Sequence, residues 1–185
     1  MGYLKSFFEF SWDLVKVAVI ALLLAGLVRY FLVQPFFVEG ASMEPNFENG
    51  EYLLIDELSY YLREVKRGEV VVFHYPLDTS RYYIKRIIGL PNETVEIKNG
   101  KITIYSNSNQ EGFLVTENYI PSGLMTEGNI KKRLGKDEYF VLGDNRPYSS
   151  DSRRWGVLPK NDVVGRVFLR AWPVAKAGVF EAPNY

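Results

Sequence analysis

A greasy run at residues 14–33, LVKVAVIALLLAGLVRYFLV, sets the first limit on the fold. As a helix it reaches roughly 30 Å, the thickness of a bilayer's hydrocarbon core. Lys16 and Arg29 lie near opposite ends, where long side chains snorkel, and Trp12, Tyr30 and Phe31 suit the two interfacial belts. Its charge-free core, residues 17–28, is short, so a buried helix and a cleavable signal sequence are the competing readings. Cleavage wants small residues just past the apolar stretch, yet Arg29, Tyr30 and Phe31 follow it, and the first small pair, Val38 with Gly40, lies far downstream. The run therefore reads as an uncleaved anchor. Lys5 and Lys16 favour an amino end inside, because Glu9 and Asp13 count little in the positive-inside bias. The expected organisation is a short cytoplasmic amino terminus at 1–13, a transmembrane helix at 14–33 and an extracytoplasmic domain at 34–185.

After Pro35 the pattern changes to short β-branched and aromatic runs separated by Gly, Asn and Pro. Residues 52–55, 69–75, 82–88, 139–142 and 163–172 have strand length and composition. In VEIKNGKITIY, residues 95–105, alternating apolar positions flank Asn99-Gly100, a pair that tolerates the positive φ of a type I′ turn. The polar, glycine-bearing stretches 106–112 and 121–135 read as surface loops, and the tail from Pro173 as equally able to pack or fray. The fold class is mainly β, one domain after the helix.

Twenty-two basic residues against 22 acidic ones, without a long basic stripe, leave no landing surface for nucleic acid. The absence of cysteine and a single histidine remove disulfides, thiolate nucleophiles and ordinary Cys/His zinc sites, so no metal or cofactor is expected.

One serine stands out: Ser42, in FFVEGASMEPN, is either a turn residue or a nucleophile. A serine nucleophile needs a base. His74 sits in the strand VVVFHYP as a structural histidine, and no G-x-S-x-G elbow occurs, which disfavours a Ser-His-Asp hydrolase. A lysine base must be neutral, so its pKa has to fall from about 10.4 to about 7–8, a cost of about 4 kcal/mol that burial can impose. YYIKRIIG offers Lys85, which shares a strand face with Tyr83 and Ile87; the alternative is a strand-edge lysine with its head in water. GDNRPYSSDSRRWG, residues 143–156, reads as a turn held by side-chain hydrogen bonds.

In this order, an anchor, GASMEP, YYIKRIIGLPN and GDNRPYSSDSR, the chain resembles the type I signal peptidases in their short, single-anchor bacterial form. The resemblance implies an antiparallel β catalytic domain shared with LexA-type self-cleaving repressors. It makes Ser42 the nucleophile and Lys85 the general base, Gly143, Asp144 and Asn145 a tight turn near the site, Ser149 the serine that orients the lysine amine, and Asp151 with Arg153 a charged pair bracing the loop. The implied activity is a membrane-bound serine endopeptidase that removes signal peptides from exported precursors at the outer face of the bilayer. The precursor would add as a strand beside residues 35–41, with small residues at the first and third positions before the cut. Four positions depart from the pattern. Asn46 stands for a common threonine, Pro91-Asn92-Glu93 for Pro-Gly-Asp, and Pro147-Tyr148 for a polar pair. Gly40 stands where some members carry a serine donor to the oxyanion, which leaves the Ser42 backbone N–H in that role. The rival readings are a tethered β module without activity and a Ser-Lys protease with one dedicated substrate.

Overall fold

The computed structural model describes residues 2–31 and 34–183. The first helix, α1, runs Gly2–Phe31 and so covers the expected span to residue 31; residues 32 and 33 lie outside the described ones. Glu9, Asp13 and Lys16 all fall on its amino half, Lys16 donating to Asp13 at 2.9 Å. Among the described residues no helix is long and apolar enough to cross a membrane.

The remainder is β, as the run of β-branched and aromatic residues dictates. The strands are β1 (Gln34–Phe37), β2 (Tyr52–Asp56), β3 (Val70–Tyr75), β4 (Asp78–Gly89), β5 (Thr94–Lys98), β6 (Lys101–Ser106), β7 (Asn109–Leu114), β8 (Ile130–Arg133), β9 (Glu138–Leu142), β10 (Leu158–Pro159), β11 (Val163–Trp172) and β12 (Gly178–Val179). The main sheet runs β1-β2-β11-β3-β4-β9-β10, with β12 on β11, and a small sheet runs β7-β6-β5-β8; the paired strands are antiparallel. Two short helices, α2 (Ser59–Leu62) and α3 (Ser152–Trp155), connect them.

The run VVVF in β3 is apolar without alternation because both of its faces are covered. Val70 and Val72 pack with Met43, Phe47 and Leu53 on one side, while Val71 and Phe73 pack with Ile87, Tyr139 and Val141 on the other. Val95, Ile97, Ile102 and Ile104 of the small sheet share one core with Ile88, Phe140 and Leu142 of the main sheet. Asn99 (φ 52°) and Gly100 (φ 77°) make the expected type I′ turn between β5 and β6.

Two stretches read as loops are strands in part. Residues 106–112 turn tightly and return as β7, with Ser106 opposite Asn109 and the Ser106 hydroxyl accepting from the Asn109 N–H at 3.1 Å. Within 121–135, the basic run IKKR forms β8 against β5. Both are edge strands, whose polar composition reflects water on their outer side and whose pairing is set by β5 and β6. The tail packs: the Phe180 N–H donates to Phe168 O at 2.9 Å, and its ring lies 4.5 Å from that of Phe47.

Candidate active site

Ser42 sits on a turn fixed by its neighbours. Upstream, the Val38 N–H donates to Glu51 O and the Gly50 N–H to Val38 O, both at 2.9 Å. Gly40 takes φ +87°, a region open to glycine, and its N–H donates to Asn49 Oδ1 at 2.9 Å. Downstream, Met43 and Phe47 are fully buried and anchor the turn in the core. Ser42 is left half-buried between them.

Lys85 reaches this serine from the middle of β4. Its register partner is Val71 on β3, next to the Phe73–Tyr83 pair, so the strand alternation that puts Tyr83, Lys85 and Ile87 on one face aims the lysine at packed hydrophobic surface. Lys85 is 3% exposed. Its Nζ lies 2.7 Å from Ser42 Oγ and 2.7 Å from Ile84 O, and 5.3 Å from the centre of the Tyr83 ring. Burial pushes the amine down to about 8, against an upward pull from Asp151 and Asp144; loss of water is the larger effect.

The turn at 143–146 carries the other expected residues to the same place. Gly143 meets the nucleophile loop so closely that a Cβ there would lie 2.4 Å from Ser42 O and 2.2 Å from Ser149 Oγ. The Asn145 N–H donates to Ser42 O at 3.1 Å, and Asn145 Nδ2 to Ala41 O at 2.9 Å. Asp144, fully buried, accepts from Arg86 Nε at 2.8 Å and Nη2 at 2.6 Å. Asp151 accepts from the Gly143 N–H at 3.1 Å, from Arg153 Nε and Nη2 at 2.8 Å each, and caps α3. Ser149 is buried beside Gly143, but its Oγ has no hydrogen-bond partner among the described residues; the lysine amine is held instead by Ile84 O.

The Ser42 N–H makes no hydrogen bond among the described residues, and Ser42 lines the cleft. A Cβ added at Gly40 would meet nothing within 4 Å, which leaves that side of the serine open. His74 is elsewhere in function: Nδ1 lies 2.8 Å from Thr79 O, to which it donates, and the ring lies 4.6 Å from that of Tyr82. Among the described residues no cluster of three or more His, Asp or Glu could hold a metal ion.

A cleft of about 610 Å³ opens over the pair. Residues 36–42 and residues 81–85 of β4 line it, together with Leu53, Val72, Tyr148 and Ser150. Since β1 is an edge of the main sheet, its outer side has no strand partner among the described residues.

Several participants were not singled out as site residues from the sequence. Arg86, adjacent to the lysine, neutralises Asp144. Arg146, 1% exposed, donates from Nε to Gly143 O at 3.0 Å and from Nη1 to Glu117 Oε2 at 2.7 Å. Asn46, the departure from threonine, donates to Asp144 Oδ2 at 2.8 Å and to Tyr119 O at 2.7 Å, tying the nucleophile loop to the turn. An arginine inside an apolar strand was the one available signal, since a buried guanidinium needs a carboxylate.

The family model for signal peptidase, peptidase S26, matches residues 11–172. A probable signal peptidase I-2 of Synechocystis sp. is 38% identical, the match covering 92% of this chain and 78% of that protein. Signal peptidase I P of Bacillus subtilis subsp. natto is 40% identical over 81% of this chain and 82% of its own length. Signal peptidase I of Bacillus amyloliquefaciens is 39% identical over 83% and 81%.

Proposed function

The chain belongs to the signal peptidase S26 family, and from that premise we propose that it cleaves with Ser42 as nucleophile and Lys85 as general base. Its activity is that of a signal peptidase I, a serine endopeptidase acting on precursors that carry signal peptides. The observation that supports the dyad is the 2.7 Å approach of a buried lysine amine to Ser42 Oγ.

Neutral Lys85 takes the Ser42 proton as Oγ attacks the scissile carbonyl; the resulting ammonium then gives that proton to the leaving amide nitrogen. A water, deprotonated by the same amine, hydrolyses the acyl-enzyme. The Ser42 N–H stabilises the oxyanion, with no side chain at Gly40 to assist. The Ser149 hydroxyl, buried and without a partner among the described residues, is available to orient the neutral amine. Asp151 and Arg153 brace the turn, and Gly143, Asp144 and Asn145 set its height against Ser42. The precursor's extended residues pair with the open edge of β1, and their alternate side chains enter the cleft, where small ones fit.

The same reading places residues 14–33 in the bilayer, the amino terminus in the cytoplasm and the catalytic domain outside. Support comes from the apolar sequence and from a row of exposed aromatics beginning six residues after Phe31. Phe37, Tyr52 and Trp172 are register partners across β1, β2 and β11, each about half exposed. Such a row suits the headgroup region, and keeps Ser42 near the membrane where its precursors lie.

The test follows cleavage of an exported precursor with an Ala-x-Ala site by wild type, Ser42→Ala, Lys85→Met and His74→Ala chains. Loss in the first two variants with retention in the third is expected. Cleavage surviving Lys85→Met excludes the base.

A further inference from the structure

We propose that the segment Glu117-Asn118-Tyr119, outside both sheets, is a positioning device for the dyad, with Glu117 and Tyr119 as its positioning residues. The inference rests on the Ser42–Lys85 reading. Neither residue lines the cleft, yet this tripeptide touches every stretch that carries the chemistry. On the nucleophile loop, Asn46 Nδ2 donates to Tyr119 O at 2.7 Å. On the base strand, the guanidinium of Arg86, next to Lys85, lies 4.0 Å from the centre of the Tyr119 ring. On the turn, both Arg146 Nη groups donate to the Glu117 carboxylate, and Tyr119 Oη donates to it as well.

The Glu117 contact reaches Ser42 in few steps. Arg146 is buried, so it holds one position only while its charge is met. Its Nε holds Gly143 O, while Asp151 holds the Gly143 N–H, so both peptide groups of that glycine are clamped. Gly143 abuts Ser42 O, and Asn145 N–H donates to that same oxygen. A turn released at Arg146 lets Ser42 shift relative to Lys85, and displacement of about 1 Å between reacting groups costs roughly a hundredfold in rate.

The segment is itself held from behind. The Val115 N–H donates to Ile102 O at 2.9 Å, the Thr126 N–H to Gly100 O at 3.3 Å, and the Thr126 hydroxyl accepts from Arg146. Val115 is buried in the core of the small sheet. That sheet contributes no residue to the cleft wall; in this arrangement it serves as the fixed support from which residues 117–119 press on the dyad.

The experiment measures kcat and KM for the precursor with full-length, detergent-solubilised wild type, Glu117→Gln, Glu117→Ala, Tyr119→Phe and Tyr119→Ala, each checked for folding by circular dichroism and thermal midpoint. Loss of turnover in Ser42→Ala and Lys85→Met tests the underlying dyad independently of these variants. Glu117→Ala and Tyr119→Ala are expected to lower kcat by about 10- to 100-fold with KM within about twofold. Tyr119→Phe keeps the ring over Arg86 and loses only the Oη bond to Glu117, so it is expected to lose clearly less kcat than Tyr119→Ala. If Glu117→Ala does not fold, Glu117→Gln and the Tyr119 pair decide. The proposal is overturned if folded variants keep wild-type kcat, if the loss falls on KM alone, or if Tyr119→Phe and Tyr119→Ala fall equally.

Discussion

Lys85→Met removes a buried amine whose protonation the fold opposes, and the opposition has a calculable signature. The folded pKa is about 8 and the ordinary value 10.5. Because the folded value is the lower one, the folded state releases its proton first as pH rises. Below pH 8 both states are charged and the fold carries the full penalty; between 8 and 10.5 the unfolded chain binds more protons and stability climbs. The difference of 2.5 units (10.5 − 8) corresponds to a penalty of about 3 kcal/mol at pH 7, about 2 at pH 9 and under about 1 at pH 10. Methionine has no such penalty, so the stability advantage of Lys85→Met over wild type shrinks by about 2 to 3 kcal/mol from pH 7 to pH 10.

The assay is urea unfolding of both full-length chains in one detergent at pH 7, 9 and 10, compared as differences so that other titrating groups cancel. Packing changes shift all three differences together and leave the slope untouched. A difference independent of pH refutes the reasoning, because it means the amine has its ordinary pKa in the folded protein. The same pKa governs activity. Wild-type kcat/KM is expected to rise about tenfold per pH unit on the acid side and to level off near 8.

Gly143→Ala is expected to lower activity by at least about a hundredfold, since its Cβ would stand 2.4 Å from a backbone oxygen, Ser42 O, which has no rotamer to retreat into; precursor cleavage by the folded variant near the wild-type rate contradicts the packing. For the bilayer contact, a chain with Trp12→Phe and Trp155→Phe leaves Trp172, 55% exposed, as its fluorophore. Its emission is expected to be quenched by vesicle lipids brominated near the headgroups, and unquenched emission removes Trp172 from the interface.

The parts of this fold legible in the sequence are those whose signal is local. Asn99-Gly100 fixes its hairpin because two adjacent residues must accept positive φ, and VVVF reads as a strand at any position in a sheet. β7 and β8 were not legible because SNSNQEG and IKKR carry no strand signal of their own and are drafted by their neighbours β6 and β5. At the site, Ser42 and Lys85 stood out through the resemblance, and strand alternation gave the lysine its apolar face. Their supports did not: Asn46 meets Tyr119 across 73 positions and Arg146 meets Glu117 across 29, pairings fixed by how the two sheets come together.

Those distant pairings bear on the lysine's charge. Near Lys85 the protein buries Asp144 and Asp151, carboxylates that unpaired would hold the amine cationic, and the part-buried Glu117 belongs to the same network. Each meets an arginine: Arg86, Arg153 and Arg146. Lys85 itself has no carboxylate within ion-pair distance among the described residues. Asp151 and Asp144 still pull the amine upward, but dehydration is the larger effect, and the amine falls to about 8. Arg153→Gln undoes one cancellation while keeping a donor near Asp151. The bare Asp151 carboxylate then stabilises the ammonium, so the acid limb of kcat/KM moves to higher pH and activity at pH 7 drops several-fold, with recovery at pH 9 to 10. A structural defect in the loop lowers the whole profile without moving it, and an unmoved limb therefore refutes the idea that paired charges leave desolvation in control.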